Sequence, residues 1–134
     1  MSIFKHTTLD LTENKKLVFT ALSKHNFYMR MLVNKYVLEC GYVPLNPFMC
    51  FEYYLADLVD RDLVRNANNN VLARCDELWV FGSVSNGVLA EIKQFKNSKK
   101  TVRYFILLHD KDVGEVKIED VEMEEDVAEF RNEL

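Results

Sequence analysis

The sequence predicts one α/β domain, Rossmann-like or flavodoxin-like, in which a mainly parallel sheet of four to five strands carries helices on both faces. Three observations predict it. Short apolar, β-prone runs at Leu17 to Leu22 (LVFTAL), Glu77 to Phe81 (ELWVF) and Thr101 to Leu108 (TVRYFILL) read as strands covered on both sides. Helical patterns fill the intervals between them, the alternation that builds βαβ crossovers. The 134 residues suffice for one core, so 1–134 is read as one unit.

The elements follow in order. After Leu17 to Leu22, the polar residues Ser23, Lys24, His25 and Asn26 end a strand and cap a helix. Nothing breaks a helix from Phe27 to Cys40, and Gly41 tolerates a left-handed terminus. Tyr42 to Leu45 reads as a second strand, stopped by Pro44 and Pro47, and Phe48 to Val59 as a partly helical aromatic segment. From Asp62 to Arg74, Leu63, Ala67 and Val71 recur beside Val64, Leu72 and Cys75 as one helical face, weakened by Asn66, Asn68, Asn69 and Asn70. Gly82 ends the third strand, and Ser85, Asn86 and Gly87 lead into a helix with Val88, Ile92 and Phe95 inward and Lys93 and Lys96 outward. Beyond Leu108, Val116 to Ile118 reads as a fifth strand and Val121 to Leu134 as a short acidic helix.

Composition excludes several functions. The net charge is −4, with acid concentrated from Glu115 to Glu133, the wrong sign for gripping a phosphate backbone, so no nucleic-acid partner is expected. Lys93, Lys96, Lys99, Lys100 and Arg103 form one basic cluster, read as a solvated helix face. No stretch approaches the roughly 20 apolar residues that span a bilayer. Met1 to Lys16 is too polar for a signal peptide, so the expectation is a soluble, cytoplasmic protein without a membrane partner. Cys40, Cys50 and Cys75 fit neither a metal spacing nor a disulfide framework and are expected as buried free thiols. Asp57, Asp60 and Asp62 lack the glycine and ligand order of a metal loop. Of His6, His25 and His109 only His25 falls near the strand ends, where a capping or surface role is expected. Trp79 belongs to the core, and Phe51, Tyr53 and Tyr54 are expected to pack, with a base-stacking wall as the alternative.

Ligands of parallel α/β sheets bind outside the carboxyl ends of the strands, where Ser23 to Asn26, Pro44 to Phe48 and Gly82 to Glu91 should converge. The run CDELWVFGSVSNGVLAEI, Cys75 to Ile92, is the most informative. A buried strand there delivers a flexible turn to a helix start, whose free N–H groups favour an anion, and Gly87 admits close approach to the backbone. Glu91 falls at the edge of the apolar face, where a partly buried carboxylate can act as nucleophile or base. The residues alone favour the plainer reading, in which Glu91 serves the helix dipole and Ser85 or Asn86 caps the helix.

The run SNGVLAEI after DELWVFG, followed by a basic helix end and TVRYF, resembles the nucleoside 2-deoxyribosyltransferase superfamily. That superfamily includes nucleoside 5′-monophosphate N-glycosidases and uncharacterised phage and prokaryotic relatives. Its motif, Asp or Ser, any residue, Gly, three residues, Glu, falls on Ser85, Gly87 and Glu91, and the likeness extends from about Leu17 to Phe105. The resemblance implies that the Glu91 carboxylate attacks the anomeric carbon of a (deoxy)ribosyl group and expels the base, without cofactor or metal. It implies a nucleoside or nucleotide ligand held by Ser23, Lys24, Asn68, Ser85, Asn86 and Gly87. Serine at 85 is similar to the monophosphate branch, where it helps bind the 5′-phosphate. The family's aspartate eight positions before Asp76 corresponds to Asn68, which has no proton to give to the leaving base. A nucleotide-binding or sensing protein without catalysis is therefore the alternative.

One expectation concerns assembly. On the helix from Phe27 to Cys40, Leu32, Val33, Tyr36, Val37 and Cys40 form one apolar face and Phe27, Met31 and Leu38 a second stripe. The sheet needs only one. The second requires Phe48 to Val59 or another copy of the chain, and the expectation is a homodimer or higher homo-oligomer, as the resemblance also implies.

Overall fold

In the computed structural model, residues 2–108 and 112–134 are described, with the side chains of Tyr53 and Tyr54 also left aside; His109 therefore lies outside the described residues. The sheet consists of β1 (Leu17–Leu22), β2 (Val43–Leu45), β3 (Glu77–Phe81), β4 (Thr101–Leu107) and β5 (Val113–Val116). Their order is β2-β1-β3-β4-β5. The first four strands are parallel, and β5 returns antiparallel beside β4 with Tyr104 opposite Val116. The helices are α1 (Arg30–Glu39), α2 (Pro47–Cys50), α3 (Arg61–Arg74) and α4 (Asn86–Asn97). Turns of 3₁₀-helix cover Thr7–Asp10, Lys24–Met29, Tyr53–Asp57, Ile118–Asp120 and Glu125–Glu133.

Strand alternation sorts the core into two layers. Phe19, Ala21, Leu78, Val80 and Tyr104 pack with Leu72 of α3, with Val88, Ile92 and Phe95 of α4, and with Val121 and Leu134 from the C-terminal segment. On the opposite face Val18, Leu22, Trp79, Phe81 and Phe105 meet Val33 and Val37 of α1. All five residues of β3 are buried, which is why ELWVF shows no polar alternation. Its one charge, Glu77, is compensated at the amino end of the sheet. There its Oε1 accepts from Trp79 Nε1 at 2.9 Å, and Lys16 Nζ and Arg103 Nη1 lie at 3.6 and 3.9 Å.

The sheet is the one read from sequence, with helices on both faces; several finer readings need correction. Pro44 lies inside β2 and does not stop it, because β2 is an edge strand and a missing N–H toward solvent breaks no ladder bond. The helix expected from Phe27 begins at Arg30, preceded by the 3₁₀ turns common at helix entrances. Leu63 is 65% exposed because steps of four residues drift around a helix, and α3 buries its C-terminal half at Leu72. The fifth strand falls earlier, at Val113–Val116, where it closes a hairpin on β4. The acidic end forms 3₁₀ turns held by Arg131, whose guanidinium donates to the carbonyls of Val121, Ile118 and Glu119. Only Cys75 is buried; Cys40, capping α1 beside Gly41, and Cys50, ending the one-turn α2, face solvent. The basic cluster is not one solvated face. Lys96 and Lys100 donate to the carbonyls of Leu134, Ala73 and Cys75, and Arg103, on β4, makes two 2.8 Å bonds to Glu115.

No helix among the described residues is long and apolar enough to cross a membrane.

Candidate functional site

The strand order reverses direction between β1 and β3, and the crevice at such a switch point, beyond the carboxyl ends of the strands, is where ligands of doubly wound sheets bind. A cavity of about 1070 Å³ opens there. β1 and the turn after it contribute Leu22, Ser23, Lys24 and His25, and the start of α2 contributes Pro47 and Phe48. Arg65, Asn68 and Asn69 come from α3; Ser85, Asn86, Gly87, Val88, Ala90, Glu91 and Gln94 come from α4 and its cap. Every residue singled out from sequence, Ser23, Lys24, Asn68, Ser85, Asn86, Gly87 and Glu91, borders this one space.

Glu91 precedes the fully buried Ile92 on α4, is itself partly buried, and bonds across to α3. There Asn68 Nδ2 donates to Glu91 Oε2 at 3.2 Å. One helical turn further on, Gln94 Nε2 donates to Asn69 Oδ1 at 3.3 Å, so two rungs join α3 to α4 along the cavity wall. The asparagine run that weakens α3 thus supplies its bonds to α4. Burial pushes the Glu91 carboxyl up to about 8, against the opposing pull of the Asn68 amide. Asn68 Oδ1 is buried and meets no hydrogen-bond donor among the described residues. A buried carboxyl beside an unsatisfied carbonyl can meet a polar group that donates a hydrogen bond.

At the helix entrance Ser85 is the N-cap of α4, its Oγ accepting from Val88 N at 3.4 Å. Asn86 and Gly87 begin the helix on its exposed side. A Cβ at Gly87 would meet nothing within 4 Å, so the chain's own packing does not require glycine there. Gly82 is different: its φ is +80° and a Cβ would lie 2.7 Å from Asn26 Nδ2, so this turn out of β3 depends on glycine.

Sequence reasoning missed one wall. Glu124, Glu125 and Asp126 reach the cavity because the C-terminal segment pairs with the turn after β3. Val84 N donates to Glu122 O and Glu124 N to Val84 O, both at 2.9 Å. Fully buried Ser23 donates its hydroxyl to Glu124 Oε2 at 2.6 Å, and Ser83 Oγ donates to the same oxygen at 3.4 Å. His25 Nε2 stands 3.9 Å from Glu124 Oε1, its side chain 68% exposed. An acidic tail far along the chain carries no local signal that it will fold back here. Among the described residues no group of three or more acids, histidines or cysteines is arranged to hold a metal ion.

Fold and cavity together define an α/β protein of doubly wound type with a pocket of mixed polar and apolar lining at its topological switch point. The chain belongs to the family described as Domain of unknown function (DUF7768), whose model matches residues 19–105. No curated protein matches its sequence. Among solved structures it is similar to the 2-desoxiribosyltransferase from Leishmania mexicana, with a TM-score of 0.53 and 17% identity over 69% of this chain. The match spans 65% of that protein's chain, and the likeness is one of fold.

Proposed function

We propose that the protein cleaves the N-glycosidic bond of a nucleoside or nucleoside 5′-monophosphate, with Glu91 as nucleophile. The observation that carries this reading is the Glu91 carboxyl group, tethered by Asn68 on the wall of the cavity at the strand ends. The fold likeness to a 2-desoxiribosyltransferase supports it, as does the Ser85, Gly87, Glu91 spacing. In its anionic form Glu91 attacks the anomeric carbon, forming a C–O bond as the C–N bond breaks and its electron pair leaves with the base. Asn68 cannot supply a proton, so the base takes one from water. A second water then displaces the carboxylate and releases the sugar, or the nitrogen of another base displaces it and forms a new nucleoside. Without a positioned acid the first step favours bases that leave easily, and turnover is slow.

The test is incubation with a panel of nucleosides and monophosphates, with released base read by chromatography. Glu91→Gln keeps the shape of the side chain and lacks the nucleophilic oxygen, so it abolishes base release. Turnover by the variant comparable to the wild type refutes the assignment. The amide at Asn68 favours a second reading, a nucleotide-binding or sensing protein of the same fold that does not cleave. Saturable binding of the panel with no base released by the wild type decides for that reading.

A further inference from the structure

We infer that Glu124 determines specificity in this cavity: it accepts a hydroxyl at the sugar's 5′ end and rejects a 5′-phosphate. This inference rests on the proposed nucleoside site and chooses between its two substrate classes. Of the residues where phosphate contacts were expected, Ser23 after β1 has already committed its hydroxyl proton. The Ser23 hydroxyl donates to Glu124 Oε2 at 2.6 Å, and Ser83 adds a second donor to the same oxygen at 3.4 Å. Ser85 is engaged as the helix cap. Glu124 itself is fixed through its backbone to Val84, one residue before the α4 cap, so the chain sets its own anion on this cavity wall.

The charges nearby point the same way. Glu125 and Asp126 follow on the same wall; Arg65 is held by Asp62 at 3.0 Å, and the charge of exposed Lys24 is screened by water. A phosphate would set its charge beside a carboxylate that two hydroxyls hold in place. A sugar hydroxyl meets an acceptor there, since Glu124 Oε1 lies 3.9 Å from His25 Nε2, beyond hydrogen-bond distance.

Binding to the wild type is measured by ligand-observed NMR and calorimetry, with deoxyadenosine, deoxycytidine and thymidine against their 5′-monophosphates. 2-Deoxyribose and its 5-phosphate serve as probes with no glycosidic bond. The unphosphorylated member of each pair binds about tenfold tighter or more. Glu124→Gln retains an acceptor for Ser23 and removes the charge, so it narrows or reverses that ratio. Equal affinity for both members in the wild type overturns the inference without any variant, as does an unchanged ratio in a folded Glu124→Gln protein or a failure of every probe to bind. Base release reports the parent reading separately. Equal release from nucleoside and monophosphate keeps glycosidic chemistry and removes the role of Glu124; no release with the binding preference intact does the reverse.

Discussion

In the proposed reaction Glu91, tuned by Asn68, governs the pH dependence. With its carboxyl pushed up to about 8, Glu91 is mostly neutral near pH 7, so the nucleophilic anion grows as pH rises. Base release should climb about tenfold per pH unit below that value and level off above it. Asn68→Ala removes the bond that lowers the value, so the rising limb should move to higher pH; an unmoved limb would show that another group sets the profile. The same shift bears on stability. A carboxyl that binds its proton more tightly in the folded state than at its ordinary value of 4.5 contributes stability in full below that value. The contribution is lost as pH rises through about 8. Glu91→Gln cannot ionise. Compared with the wild type it should therefore melt higher at about pH 9 than at about pH 5, by a few degrees, in thermal unfolding followed by circular dichroism.

At the scale of the element, α4 depends on its cap. Ser85→Ala removes the acceptor for Val88 N, which costs about 1 kcal/mol and lowers the melting temperature by about 4 °C. If capping, in which the Ser85 oxygen only accepts, is its whole role, the substitution should weaken nucleoside and monophosphate binding to a similar degree. A loss confined to monophosphates would show Ser85 to be a phosphate ligand instead. The strands β1 and β3 were legible to the residue, since runs buried on both faces are apolar but for Thr20 and Glu77. The helix starts were less so. Nothing local in Phe27 to Met29 separates a 3₁₀ turn from an α-helix, and that choice follows from how the chain leaves β1.

For the whole molecule, assembly turns on the apolar stripe that α1 leaves uncovered. On α1, Met31 and Leu38 are 65% and 58% exposed, while Phe27 is met edge-on by Phe48 of α2 with ring centroids 5.4 Å apart. Phe48 to Val59 therefore takes part of the second stripe and leaves the rest on the surface. We expect a homodimer through that remainder, seen by light scattering on a size-exclusion column at micromolar concentration, and its dissociation in Met31→Glu. A monomeric wild type contradicts this, and an intact dimer in the variant moves the interface elsewhere.

What the sequence determined by itself was the parallel sheet and the α4 side of the cavity. Strand burial and the segment from Ser85 to Glu91 are written in adjacent residues, and the approach of Ser23 to Gly87 follows from the rule that parallel strands end together. Tertiary structure alone decided what faces them. The exposed Cys40 and Cys50, the partnering of Asn68 with Glu91 across 23 positions, and that of Ser23 with Glu124 across 101 depend on contacts between distant segments. No periodicity or cap marks such contacts, because their energy exists only once the chain has closed on itself.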